Sequence, residues 1–274
     1  MLEKLKYINH ENEVFDFGGN GIFARSNELH DYAWNVTKKN NRISDIAYTV
    51  TTKKLPVVIK CGTEEEGIAA RNRLLEIAEK DVLAMQYGRV VIGDYYMRCY
   101  ITKSVKSDYL ISKQYMVATL TLTTDLPYWI KETSYIFAQG ETEAESSGLD
   151  FPFDHPFDYH NGMANKTIKN TGFMPTNFRL IISGACVNPS VYIAGHLYQV
   201  NCTVGENQYL TIDSVAKTVT LTSNDGTVTN VFNDRNKESY IFEKVPAGQN
   251  AVSWSGNFGF EIVLLEERSE PKWT

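Results

Sequence analysis

KQYMVATLTLTTDLPYW, residues 113–129, alternates with a period of two. Met116, Ala118, Leu120 and Leu122 fall on one side of an extended chain, and Tyr115, Val117, Thr119 and Thr121 on the other. A pleated strand sends successive side chains to opposite faces, so this stretch predicts a strand with one buried face. It should end at Asp125-Leu126-Pro127, because proline has no N–H to give to a ladder. The neighbouring text has the same texture. VVIGDYYMRCYI (residues 90–101) carries a Gly93-Asp94 turn, and ISDIAYTVTTKKLPVVIK (residues 43–60) reads as extended chain interrupted at Lys54-Leu55-Pro56.

One segment breaks this pattern. Thr63 followed by Glu64-Glu65-Glu66 fits a capping box, with Thr63 as N-cap and Glu66 at the third helical position. The acidic first turn suits the positive end of a helix dipole. Ile68, Leu75, Ala78 and Val82 follow at helical spacing, which predicts a helix over residues 64–80 covering one face of a sheet. Gly18-Gly19-Asn20-Gly21 reads as a tight turn, not a phosphate loop, since no helix start follows it.

Residues 131–170 are polar and rich in Gly and Ser, then dense in Phe-Pro and Phe-Asp, the composition of a linker. From Met174 onward short β segments recur with turn residues every eight to twelve positions, the pattern of a sandwich or barrel. The expected organisation is therefore a β domain with one helix over 1–130, a linker over 131–170, and a β-sandwich over 171–274. Pro127, Tyr128 and Trp129, with Phe151, Phe153 and Phe157, are the candidate domain-junction residues, and Phe151, Phe153, Phe157 and Tyr159 read as an aromatic clip that pins the linker.

The chain has 274 residues, a net charge of −6 and a sequence pI near 5.5. No run of Lys or Arg exceeds two, which argues against a nucleic-acid partner. No apolar run approaches the roughly 20 residues that cross a bilayer, so no membrane is expected. MLEKLKYINHENEVF lacks the apolar core of a secretory signal and reads as a start made in the cytoplasm. Cys61, Cys99, Cys186 and Cys202 are scattered and are expected as free thiols.

Candidate chemistry is sparse. Asp154, His155, Asp158 and His160 are ligand types, but their aromatic-proline frame favours a linker over a metal site, and no metal or cofactor is expected. Glu141, Glu143 and Glu145, and Glu266-Glu267, read as solvated charge, not as a glycosidase pair. No G-x-S-x-G occurs, and His10, His30 and His196 stand without a nucleophile motif, so no catalytic residue is assigned. Asp213-Ser214, inside YLTIDSVAKTVTL (209–221), reads as the loop of a hairpin. Tyr192, Tyr198, Tyr209 and Trp254 could stack on a saccharide ring if exposed, although aromatics in a sandwich more often face its core.

The order of these parts resembles the distal tail protein (Dit) family of phages that infect Gram-positive bacteria and of related prophage tails. The resemblance spans nearly the whole chain. It is carried by TLTTDLPYW, the linker FPFDHPFDY, NPSVYIAGHLYQVN, the IDS…KTV hairpin, the turn at Pro246, Gly248 and Asn250, and the closing EERSEPKW. It implies a mainly β fold: an α+β N-terminal domain with one helix on a sheet, and a galectin-like C-terminal β-sandwich. It implies a hexameric ring formed by the N-terminal domain in the baseplate, at the virion tail tip. There the ring would join the tail tube protein to the tail-associated tip (lysin) protein and anchor receptor-binding or other baseplate proteins. It transfers no catalytic residue. Two other readings stand beside the hub: an adhesin contacting cell-wall saccharide through its sandwich, and a wall hydrolase.

Overall fold

The computed structural model describes residues 4–140 and 164–273. The described chain is mainly β, with one α-helix, and divides into two compact units. The first is Met1–Lys131 together with Glu267–Thr274, and the second is Glu132–Glu266. The chain leaves the first unit within the strand Trp129–Phe137 and returns within the strand Gly259–Arg268. All of the closing EERSEPKW but its first residue, Glu266, thus clusters with the first unit, although the sequence pattern groups it with the second half. The Trp273 indole stacks on His30 at 4.0 Å, and the Tyr48 hydroxyl donates to Ser269 Oγ at 2.5 Å.

In the first unit the strand Tyr115–Thr124 lies between Thr51–Lys60 and Tyr95–Ser112, antiparallel to both. Met116, Ala118, Leu120 and Leu122 are all buried, as their alternation requires. The expected interruption at Pro56 is absent, and Thr51–Lys60 runs unbroken. The Pro56 carbonyl accepts from the Arg25 N–H, so the missing proline N–H points to the side where the strand Ile22–Ala24 has already ended. The ladder to Tyr115–Thr124 therefore loses no bond. Gly93-Asp94 closes the hairpin of Gly88–Ile92 with Tyr95–Ser112, and Asn20-Gly21, both at positive φ, closes Gly18–Gly19 with Ile22–Ala24.

The helix runs Glu64–Ala84, four residues beyond its expected end. The capping box forms: the Glu66 N–H donates to Thr63 Oγ1 at 3.2 Å, and the Thr63 N–H to Glu66 Oε2 at 3.1 Å. Of the expected face only Ala78 is buried. Gly67, Leu74, Ile77, Ala78 and Asp81 are buried, whereas Ile68, Leu75 and Val82 are exposed. The helix is turned by about one residue, roughly 100°. Two contacts fix this phase. A Cβ on Gly67 would collide with the backbone of Lys113 and Gln114, so only glycine lets the helix lie this close to the sheet. Asp81 accepts from the Tyr7 hydroxyl at 2.6 Å and from the His10 backbone N–H at 2.8 Å, and its carboxylate meets His10 Nδ1 at 2.6 Å. Burial, with smaller contributions from Cys99 and Asp81, raises the Tyr7 phenol well above its ordinary range, and burial pushes the Cys99 thiol up to about 12.

The second unit contains a two-stranded ladder of Cys186–Val187 with Thr203–Val204 and two larger antiparallel sheets. One orders Val228–Asn230, Thr218–Thr222, Tyr209–Asp213, Asn177–Ser183 and Gly259–Arg268, and the other Ala164–Asn170, Gly248–Trp254, Ser190–Ile193 and His196–Gln199. A single core includes Phe178, Leu180, Ile212, Ile262 and Leu264 from the first sheet, and Ile193, Tyr198, Val252 and Trp254 from the second. Asn170, itself buried, donates from one amide to the carbonyls of Met174, Val245 and Pro246 while its oxygen accepts from the Gly172 N–H. This ties the edge of the second sheet to the Pro246 turn.

Candidate functional site

The Asp213-Ser214 question is answered by register. Tyr209–Asp213 pairs with Thr218–Thr222 as a hairpin. Asp213 Oδ1 accepts from the backbone N–H groups of Val215 and Ala216, which folds the loop. Ser214 is fully buried, accepts from the Phe178 N–H at 2.7 Å and donates to Asn177 Oδ1 at 3.2 Å. Its hydroxyl is a structural pin.

The histidines are likewise tied into the framework. His196 Nε2 meets the Tyr240 carbonyl at 2.9 Å and Ser239 Oγ at 3.1 Å. His10 is held by Asp81, and His30 by Trp273 and Glu270. Glu266 is buried and accepts from the Thr171 hydroxyl at 2.6 Å. All four cysteines are free thiols. Among the described residues no group of three or more His, Cys, Asp or Glu is placed to hold a metal ion. No helix there is long and apolar enough to cross a membrane. Glu141, Glu143, Glu145, Asp154, His155, Asp158 and His160 lie outside the described residues.

Of the stacking candidates, Tyr198 and Trp254 are both 1 % exposed. The Tyr198 hydroxyl donates to the Glu243 carbonyl and the Trp254 indole N–H to the Phe258 carbonyl, so both rings are core and offer no face to a sugar. Tyr192 is half-buried and Tyr209 exposed, and they stand on different sheets. Of the junction candidates, Trp129 is fully buried in the first unit's core and its indole donates to the Leu29 carbonyl at 3.2 Å. Tyr128 meets Tyr48 edge-on at 4.6 Å, Tyr48 stacks on Trp34 at 3.9 Å, and Pro127 borders a cleft with Tyr32 and Tyr48. These three anchor the end of the first unit. Phe151, Phe153, Phe157 and Tyr159 lie outside the described residues.

The sequence reading missed the surface. Among the described residues, most of the large exposed apolar side chains lie in the first unit. Three elements carry most of them. The first is the hairpin Asn35–Lys39/Arg42–Ala47, exposed at every position. Val36 pairs with Ile46, and a bulge at Ser44 brings Ile43 opposite Lys38, so Val36, Ile43 and Ile46 share one uncovered face. The second is the helix stripe Ile68, Leu75 and Val82. The third is the far end of Tyr95–Ser112, where Leu110 is 85 % and Ile111 77 % exposed. An isolated two-stranded hairpin is marginal in water, and clustered apolar patches mark interaction surfaces. Asn40-Asn41, both at positive φ, was the sequence's own mark of the hairpin.

No protein-family model matches the chain, and no curated protein matches it at a significant level. Solved structures do. SPP1 Dit, described as a paradigm of the hub adsorption apparatus in Gram-positive-infecting phages, superposes with a TM-score of 0.56 at 10 % identity, over 98 % of this chain and 100 % of that one. A chain of the phage P2 baseplate in its activated conformation with Ca superposes with a TM-score of 0.65 at 12 % identity, over 99 % and 100 %, and the form with Sr gives the same figures. This chain has the fold of those proteins from end to end.

Proposed function

We propose that this protein is the structural hub of a phage or prophage tail tip, a Dit-type distal tail protein. The observation that carries this reading is a fold shared along essentially the whole chain with SPP1 Dit and with a phage P2 baseplate chain. The first unit builds a homo-hexameric ring in the baseplate. That ring joins the tail tube protein to the tail-associated tip protein, and the second unit, a galectin-like sandwich, offers anchorage to receptor-binding or other baseplate proteins. The protein acts by geometry, without turnover or cofactor, and resides at the virion tail tip after synthesis in the host cytoplasm.

Ring formation needs a heterologous interface whose rotation closes. The uncovered hairpin face and helix stripe of the first unit are the apolar surfaces available for it, and the occupant of both is the next copy of the same chain. Negative-stain microscopy of the purified protein tests the proposal: six-lobed annuli are expected. Light scattering that shows only a monomer at high concentration counts against it.

A further inference from the structure

Arg89 and Arg98 stand directly opposite one another across the Gly88–Ile92/Tyr95–Ser112 ladder. Opposed side chains start about 5 Å apart, and like charges in that position repel. Both are half-buried: Arg89 Nη2 makes its contact to Asn12 at the surface, whereas the Arg98 Nε is buried without a hydrogen-bond partner. Both line one cavity of about 460 Å³ together with His10, Asn9, Asn12 and Gln86, and none of its lining residues is acidic.

The nearby acids are engaged elsewhere. Asp81 holds Tyr7 and His10, Glu11 and Glu13 share Lys80, Asp94 pairs with Lys131, and Asp125 accepts from Tyr87. What the arginines do have is neutral. Arg89 Nη2 donates to Asn12 Oδ1 at 3.1 Å, and the guanidiniums lie 6.0 Å and 5.7 Å from the ring centres of Tyr96 and Tyr87. The cavity also includes Met85 and Gln86 at the helix's C-terminal end. Those carbonyls favour a cation, but the end of a helix dipole amounts to about half a charge against two.

We infer that Arg89 and Arg98, with His10 and Asn12 at the rim, form a binding site for a tetrahedral oxyanion of the phosphate class. One guanidinium fork engages both oxygens of a carboxylate, leaving only their second lone pairs for another. Two forks on one cavity are matched better by a tetrahedral anion, which offers each fork its own pair of oxygen edges. The ligand is a free phosphate or a phosphate ester, and the site stands whether or not the chain forms a ring.

The test is calorimetric titration and thermal melting of the full chain with inorganic phosphate, glycerol 3-phosphate and acetate at matched ionic strength. The variants are Arg89→Gln, Arg98→Gln and, as a charge control outside the cavity, Lys39→Gln. Either phosphate is expected to raise the melting temperature of the wild type and of Lys39→Gln, with acetate ineffective. Each arginine variant should bind phosphate roughly ten- to a hundredfold more weakly, the loss of a charge-assisted bond. Each should also melt no lower than wild type in chloride, because repulsion is relieved. Preference for glycerol 3-phosphate would mark an ester ligand, and preference for inorganic phosphate a free ion. Equal stabilisation of all four proteins, or acetate matching phosphate, overturns the site. So does equal destabilisation of the arginine variants in chloride and phosphate, which would leave them as partners of the helix end alone.

Discussion

Gly88→Ala is the most informative single change in the first unit. Gly88 opens a strand that passes the Tyr7–Asp81 hydrogen bond. A Cβ placed there would lie well inside 3.0 Å of Asp81 Oδ2 and of the Tyr7 hydroxyl oxygen. Neither neighbour is a free flexible end. The Tyr7 hydroxyl is bonded to Asp81 at 2.6 Å and reaches the Cys99 carbonyl at 3.3 Å, while Asp81 is held on the helix and bonded to His10. Overpacking of this kind costs about 1–3 kcal/mol. Losing a buried hydrogen bond to a carboxylate costs about 1.5–3 kcal/mol more. The expected loss is about 3–5 kcal/mol, a large share of the roughly 5–15 kcal/mol typical of a domain.

Urea unfolding followed by tryptophan fluorescence measures the loss. Trp34, Trp129 and Trp273 report the first unit and Trp254 the second, so wild type and variant should both carry Trp254→Phe to avoid mixing two transitions. With a slope near 2 kcal/mol per molar urea, the midpoint should fall by about 1.5–2.5 M. Tyr7→Phe removes one of the three colliding atoms, the hydroxyl oxygen, and leaves Asp81 Oδ2 and the Tyr7 ring carbon Cζ. The double variant Gly88→Ala/Tyr7→Phe should therefore be more stable than the sum of the single losses, by about 1–2 kcal/mol. A midpoint shift under 0.5 M for Gly88→Ala, or strict additivity in the double variant, would refute the packing argument.

Thr63→Ala removes the helix cap and should cost the first unit about 1 kcal/mol, read by the same urea midpoint. Ser214→Ala leaves the buried Phe178 N–H without its acceptor and should cost the second unit about 1–3 kcal/mol by Trp254 fluorescence. The Cys99 thiol, pushed up to about 12 by burial, is a group whose folded value exceeds its unfolded value near 9. Its contribution is intact below pH 9 and is lost as pH rises toward 12, on the order of 1 kcal/mol by pH 10. Cys99→Val should accordingly unfold with a flatter pH dependence than wild type between pH 8 and 10. Ile46→Glu, on the uncovered hairpin face, should leave unfolding unchanged but abolish large particles in light scattering. An unaltered particle size would place the ring contact elsewhere.

Strand periodicity, capping chemistry and two-residue turns were legible because they are local. Met116 to Leu122, Thr63 with Glu66, and Gly93-Asp94 each state their geometry within a few residues. Even the opposition of Arg89 and Arg98 was readable, since they are equidistant from the Gly93-Asp94 turn. The Pro56 strand was not, because what excuses proline there is the end of a different strand more than thirty residues earlier. The attachment of the tail to the first unit depends on His30 and Tyr48, which no local pattern links to Trp273 and Ser269.

The misread helix phase bears on function. By hydrophobicity alone the stripe of Ile68, Leu75 and Val82 should face inward, yet the fold buries Gly67 and Asp81 and leaves that stripe in water. A rotation of about 100° would hide it, at the cost of the Tyr7–Asp81–His10 bonds and of the close approach that Gly67 allows. The retained phase is that of a protein whose outer helix face has another surface to meet. The hairpin face of Val36, Ile43 and Ile46 follows the same logic, on the same unit, with a tip carrying Lys38, Lys39 and Arg42 where the helix presents Glu65, Glu76 and Glu79. Two uncovered apolar faces on one unit suit the head-to-tail contact of the proposed ring.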